Sequence, residues 1–113
     1  MNIYRKLVAY LQLRDAIKKA NEAHEKNGER YYVMPTHGTK GKPALLIVDR
    51  RNFRKLKFKK YIVSNARVRD LVRESFYFTP YKDGSRAITN GLKKRKRMEF
   101  YAWYDAECSF RKH

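Results

Sequence analysis

Two runs of side chains are dense enough to carry chemistry by themselves. Arg50, Arg51, Arg54, Lys55, Lys57, Lys59 and Lys60 make seven of the eleven residues from 50 to 60 basic, and Lys93, Lys94, Arg95, Lys96 and Arg97 follow one another without a break. Guanidinium and ammonium groups at this density neutralise phosphate oxygens and displace the counterions around them. The chemistry they suit is capture of a polyphosphate, and all twelve are candidate nucleic-acid-binding residues.

A run of like charges is ordinarily a solvated surface, so the balance of the whole chain decides its weight. The 113 residues carry 28 Lys plus Arg against 11 Asp plus Glu, a formal net charge of +17. Small domains stay soluble with a net charge of about 2 to 8. Holding +17 in one folded unit costs self-repulsion, which a countercharged partner relieves. The excess is uneven: residues 1–49 hold nine basic and five acidic groups, and residues 50–113 hold nineteen and six, so +13 lies after Asp49.

Other reactive side chains form no constellation. His24, His37 and His113 fall on a helix end, a loop and the C-terminus, without metal-ligand spacing. The single Cys108 excludes an internal disulfide and points to a reducing compartment. Its neighbours Asp105 and Glu107 would disfavour a thiolate, so it reads as a small packing residue. Asp70 and Glu74, with Arg67, Arg69 and Arg73 around them, read as helix-surface ion pairs rather than an acid/base pair. The loop His37–Lys42 holds Gly38 and Gly41-Lys42, but two residues between the glycines and Pro43 in place of a magnesium-binding hydroxyl do not make a phosphate loop. It resembles part of the KOW loop of ribosomal and transcription proteins, and departs from it at Ala44 and Leu45. The expectation is a non-enzymatic protein with no catalytic residue, no metal and no cofactor.

The elements that must position the two basic runs follow from periodicity. Ile3 to Lys26 has helical spacing with two apolar sets: Ile3, Tyr4, Leu7, Val8 and Leu11 on one face, and Tyr10, Leu13, Ile17 and Ala20 a third of a turn or more away. One helix serving two contacts packs both on its own domain or offers one to another chain. Asn27-Gly28 is a left-handed stop. Arg30 to Met34 reads as a strand ended by Pro35, and Ala44 to Val48, apolar on both faces, as a central covered strand joined to it by a long hairpin loop. Asp49 can cap a helix from Arg50 to about Lys57 with Phe53 and Leu56 inward, although Lys55 to Lys59 also alternates as a strand would.

Ser64 can cap a helix from Asn65 to Glu74 that buries Val68, Leu71 and Val72. Phe76 to Phe78 is a third strand stopped by Pro80, with a turn at Asp83-Gly84. Thr89 can cap a last helix to about Glu107, weakened at its start by Gly91, with Leu92, Glu99, Phe100, Trp103 and Ala106 on one broad side. The expected class is α+β in one domain over 1–113: a small three-stranded antiparallel sheet with an N-terminal helix, two short helices and a C-terminal helix, ordered α-β-β-α-α-β-α. Helix dipole and amides at Lys93 to Arg97 favour phosphate, and Tyr101 and Tyr104 beside that run are the best placed rings for stacking on bases.

The segments Glu29–Pro35 (ERYYVMP), Asn52–Lys57 (NFRKLK), Arg67–Val72 (RVRDLV) and Phe76–Tyr81 (FYFTPY) resemble small basic proteins encoded by bacteriophages and prophages of gut bacteria, over about the last three quarters of the chain. The resemblance implies a genetic setting and transfers no functional residue. With the charge, it leads to a nucleic-acid partner, DNA ahead of RNA, bound through the phosphate backbone. An acidic protein surface is the other partner class, in a virion accessory protein at a capsid or portal. A ribosome-associated protein and an inhibitor of host defence are further readings. The longest apolar run, Ala44 to Val48, falls far short of the roughly 20 residues that span a bilayer. No membrane contact and no signal peptide are expected; the expected locations are a virion or the host cytoplasm, within a larger assembly.

Overall fold

The structure is a computed structural model that describes residues 2–38, 41–58 and 70–110. Its elements are α1 (Ile3–Asn27), β1 (Tyr32–His37), β2 (Pro43–Val48), α2 (Arg50–Phe58), α3 (Leu71–Glu74), β3 (Tyr77–Phe78) and α4 (Asn90–Phe110). This is an α+β fold around an open antiparallel sheet of order β2-β1-β3. Among the described residues no helix is long and apolar enough to cross a membrane.

α1 is closed at both ends by the groups its sequence supplies. The Asn2 carboxamide accepts the Arg5 amide at 2.7 Å, and Gly28, at φ 75°, turns its amide back onto the His24 carbonyl at 2.7 Å. The buried line is Ala9, Leu13, Ala16 and Ala20, spaced four, three and four. Three alanines on that line let the helix lie close against β2 and α4.

Period-two alternation in the strands divides the core in two. Tyr31, Val33, Leu45, Ile47 and Tyr77 face α1 and the second half of α4, where Phe76, Phe100 and Tyr104 complete the cluster. Phe76 meets Phe100 edge-on with ring centroids 5.2 Å apart. Tyr32, Met34, Leu46, Val48 and Phe78 face the opposite way and receive Phe53 from α2, Leu71 from α3 and Leu92 from α4. The helices thus form two layers with the sheet between them.

Three expectations about the sheet are corrected by this layout. β1 starts at Tyr32 and continues through Pro35 to His37, paired with β2 from Tyr32↔Val48 to His37↔Pro43. The Tyr31 and Val33 carbonyls accept the amides of Thr79 and Phe76, so residues of that parity, Pro35 included, turn their backbone away from β2. A proline at such a position forfeits no bond of the β1–β2 ladder, and β3 reaches only Tyr32 and Val33. β2 is an edge strand, half-buried between its ends, and the central strand is β1. The apolar run of β2 comes from helices covering both of its faces, not from flanking strands.

Two helical faces also differ from expectation. The helix expected from Asn65 lies outside the described residues as far as Arg69, including Ser64, Arg67, Val68 and Arg69; the described end is α3, where Leu71 is buried and Val72 is exposed. A single turn can aim only one of two adjacent side chains inward. α4 starts at Asn90 despite Gly91, with the Leu92 amide 3.2 Å from the Thr89 hydroxyl, and runs three residues past Glu107. Its buried line is Lys96, Phe100 and Tyr104, whereas Glu99 and Ala106 are exposed. Residues four apart define the narrow stripe, and Glu99 and Ala106 are rotated off it.

Candidate nucleic-acid interface

Phe53 sets the orientation of the first basic run. The Asp49 carboxylate accepts the Asn52 amide at 2.7 Å, so the helix begins at Arg50, and Phe53, one turn later, is fully buried. With Phe53 held inward, Arg50, Arg51, Arg54 and Lys55 are exposed. The helix continues through Phe58, which decides the strand alternative against Lys55 to Phe58. The side chains of Leu56 and Lys57, and the whole of Lys59 and Lys60, lie outside the described residues.

The second run divides according to helical angle. Leu92 packs among the α2-side core, and Lys96, four residues on, follows it inward and is only 3% exposed. Its ammonium donates to the carbonyl oxygens of Val72 at 2.8 Å, Arg73 at 3.2 Å and Ser75 at 2.5 Å. Lys96 therefore caps the C-terminal end of α3 and holds it to α4, and it is removed from the candidate interface. Burial holds the Lys96 ammonium below the ordinary lysine range. The four-residue spacing of Leu92, Lys96, Phe100 and Tyr104 is the signal that could have set Lys96 apart, but the side expected from Leu92, Glu99, Phe100, Trp103 and Ala106 did not include it. Lys93, Lys94, Arg95 and Arg97 remain exposed.

Eight described members of the two runs therefore face solvent: Arg50, Arg51, Arg54, Lys55, Lys93, Lys94, Arg95 and Arg97. None has an acidic partner among the described residues. Ion pairs between described residues lie elsewhere and include Arg5–Asp105 at 2.8 Å, His37–Glu107 at 3.0 Å, Arg14–Asp15 at 3.7 Å, and Arg73 with Asp70 at 3.1 Å and Glu74 at 3.3 Å. The pairing of Arg73 with Asp70 and Glu74 is the helix-surface pattern expected of that segment.

Each run lines its own cleft. Lys93 and Arg97 stand beside Arg14 over Tyr10, Leu13 and Ile17 of α1. Arg50 reaches the Tyr81 hydroxyl at 3.4 Å and faces Lys82 and the Gly28 turn across an open cleft. Ile17 lies ten residues before Asn27, the last residue of α1 and the one preceding the Gly28 turn, about 15 Å at a rise of 1.5 Å per residue. In the second cleft Asp83 is committed to its own turn, accepting from the Ser85 amide and hydroxyl at 2.9 and 2.6 Å, and those bonds hold its carboxyl below the usual range.

Aromatic side chains near the basic groups are largely spent on packing. Tyr104 is buried, which pushes its phenol up, and Tyr101 packs against the α1-side core, so neither ring stands free for a base. Arg30, which nothing in its local sequence singles out, is a buried cation. Its guanidinium lies 4.4 Å from the Tyr81 ring centroid, 4.8 Å from Phe78 and 5.6 Å from Tyr32, and donates to the carbonyls of Thr79 at 2.9 Å and Arg86 at 2.8 Å. It joins β1 to the segment after β3. Among the described residues no three His, Cys, Asp or Glu side chains converge in a way that could hold a metal ion.

No protein-family model, no curated protein and no solved structure matches this chain.

Proposed function

We propose that this protein binds the phosphate backbone of nucleic acid, DNA ahead of RNA, through the outward faces of α2 and of the first turns of α4, in a phage setting and without catalysis. The observation that carries this reading is the set of eight exposed basic side chains on two helices with no acidic partner among the described residues. Side chains that merely kept the molecule soluble would be interspersed with acids. Contacts of this kind position a protein on a duplex and read no sequence.

Replacing Lys94, Arg95 and Arg97 together by glutamine removes three cations without touching Lys96 or the apolar line of α4. In fluorescence anisotropy with labelled duplexes of unrelated sequence, the triple variant is expected to bind all of them more weakly by the same factor. Three lost phosphate contacts should lower the slope of log affinity against log salt by about 2.7. Loss on one sequence alone would mean base readout, and unchanged affinity would remove α4 from the interface.

A second reading, a virion accessory protein at a capsid or portal, draws support from a different observation. The basic groups line two separated clefts, and the first half of α1 turns apolar side chains outward. A component that touches several partners has use for each of these surfaces. Stoichiometric recovery in purified particles, with little affinity for free DNA, is its expected signature.

A further inference from the structure

The first half of α1 is apolar on two opposite sides. Ala9 and Leu13 are buried against the domain, whereas Ile3 is 88% exposed, Tyr4 77% and Leu7 52%, with Leu11 and Tyr10 exposed beside them. At about 100° per residue, the mean direction of the outward set lies opposite that of Ala9, Leu13, Ala16 and Ala20. Ile3, Leu7 and Leu11 form a line at four-residue spacing, and Arg14 and Lys18, both exposed, continue it. Scattered exposed apolar residues are ordinary, but a continuous stripe on one face of a helix marks a contact surface.

The stripe is presented on a helix that is held in place. The Arg5 guanidinium donates to Asp105 at 2.8 Å and to the Ser109 hydroxyl at 3.3 Å, which ties the first turns of α1 to the end of α4. Ala9, on the reverse side, has no exposure left. Rotating the outward face into the core would expel Ala9 and Leu13 and break this tie.

The geometry points to an occupant: an acidic amphipathic helix of another protein, its apolar face on Ile3, Tyr4, Leu7 and Leu11 and its carboxylates against Arg14 and Lys18. Charge complementarity selects it. The chain has no acidic residue before Asp15, and Asp15 lies 3.7 Å from Arg14. A second copy would bring the same basic rim and another +17 to the contact, with no carboxylate before Asp15 to answer it. From Ile3 to Lys18 the line runs about 22 Å, the length of roughly four helical turns in the partner. Helix-in-groove recognition of this kind uses anchors at three- and four-residue spacing.

The test uses the full-length protein and three synthetic helical peptides of eighteen residues: one with leucines at three- and four-residue spacing flanked by glutamates, one with lysines at the flanks, and a scrambled glutamate version. Isothermal titration should show the glutamate-flanked peptide binding at least ten times more tightly than either of the others. The double variant L7S/L11S should lose that binding and keep its thermal midpoint, because both side chains already face solvent. The double variant K94Q/R95Q, which leaves Arg97 beside Arg14 in place, should keep it, which separates this docking from attraction of any acidic peptide to the phosphate-binding surface. Equal binding of the scrambled peptide, binding unaffected by L7S/L11S, or a stripe-dependent dimer in sedimentation equilibrium would each overturn the proposal. So would binding to phosphatidylglycerol vesicles that L7S/L11S abolishes while the peptides show no preference.

Discussion

The first turns of α1 and of α4 invert the usual relation between hydropathy and burial in opposite directions. In α1, isoleucine, tyrosine and leucine stand in solvent while an alanine line takes the core; in α4, a lysine is drawn in while four basic neighbours stay out. Both inversions have the same cause, which is that a helix has one inward direction and the residue at that angle goes in whatever its type. Ala9 and Leu13 occupy that angle in α1, and Lys96, between Leu92 and Phe100, occupies it in α4. An inward lysine is tolerated only because its ammonium finds partners, here the open carbonyls at the end of α3. The outward apolar set of α1 has no such compensation among the described residues, which leaves it as a surface for another molecule.

The largest expected effect strikes the inward lysine. Lys96→Met keeps the stem and deletes the ammonium, leaving the carbonyls of Val72, Arg73 and Ser75 without their shared donor, and should cost about 2 to 4 kcal/mol in urea unfolding. Lys94→Met, two residues away and exposed, should stay within about 0.5 kcal/mol. Equal costs would break the contrast between them. The matching experiment on α1 is smaller: Ala9→Leu overpacks a closed site and should cost about 1 to 3 kcal/mol, whereas Leu7→Ala should move stability by no more than about 0.5 kcal/mol. A large loss from Leu7→Ala would mean that the stripe is covered within the chain.

The smallest effect is a dependence on pH. Because burial lowers the folded-state affinity of Lys96 for its proton, the unfolded chain binds more protons between that lowered value and the ordinary 10.5. Stability from this group therefore rises with pH across that window and is lost as pH falls back through it. Other lysines titrate nearby, so the useful quantity is the stability gap between the native protein and Lys96→Met. It should widen as pH rises toward 10.5; a gap that narrows would contradict the burial of a protonated amine.

Much of the fold was legible because local signals agreed with the tertiary result. Asp49, Thr89 and Asn27-Gly28 mark helix ends where capping bonds are found, and Phe53, an apolar residue one turn after the Asp49 cap in a basic stretch, turns inward as its position implies. What escaped depended on partners distant in sequence. That β2 is an edge and β1 central follows from which strand β3 joins, and no residue of β2 encodes it. Pro35 marks a strand end only if its missing amide would have faced a neighbour, and the short β3 leaves that side open. Arg30 belongs to the interior because Tyr81 and Phe78 arrive beside it from about fifty residues away. Within the candidate interface the density of charge was plain, but the removal of Lys96 required the neighbouring helix end.

The most direct measurement is the affinity of the protein for a labelled DNA duplex as salt is raised from about 50 to about 200 mM, followed by anisotropy. Neutralisation of phosphates by α2 and α4 predicts a linear, steep fall of log affinity with log salt, shallower in the Lys94, Arg95, Arg97 glutamine variant. Affinity that does not change with salt, or no binding at 50 mM, would contradict a phosphate-binding role for these two helices.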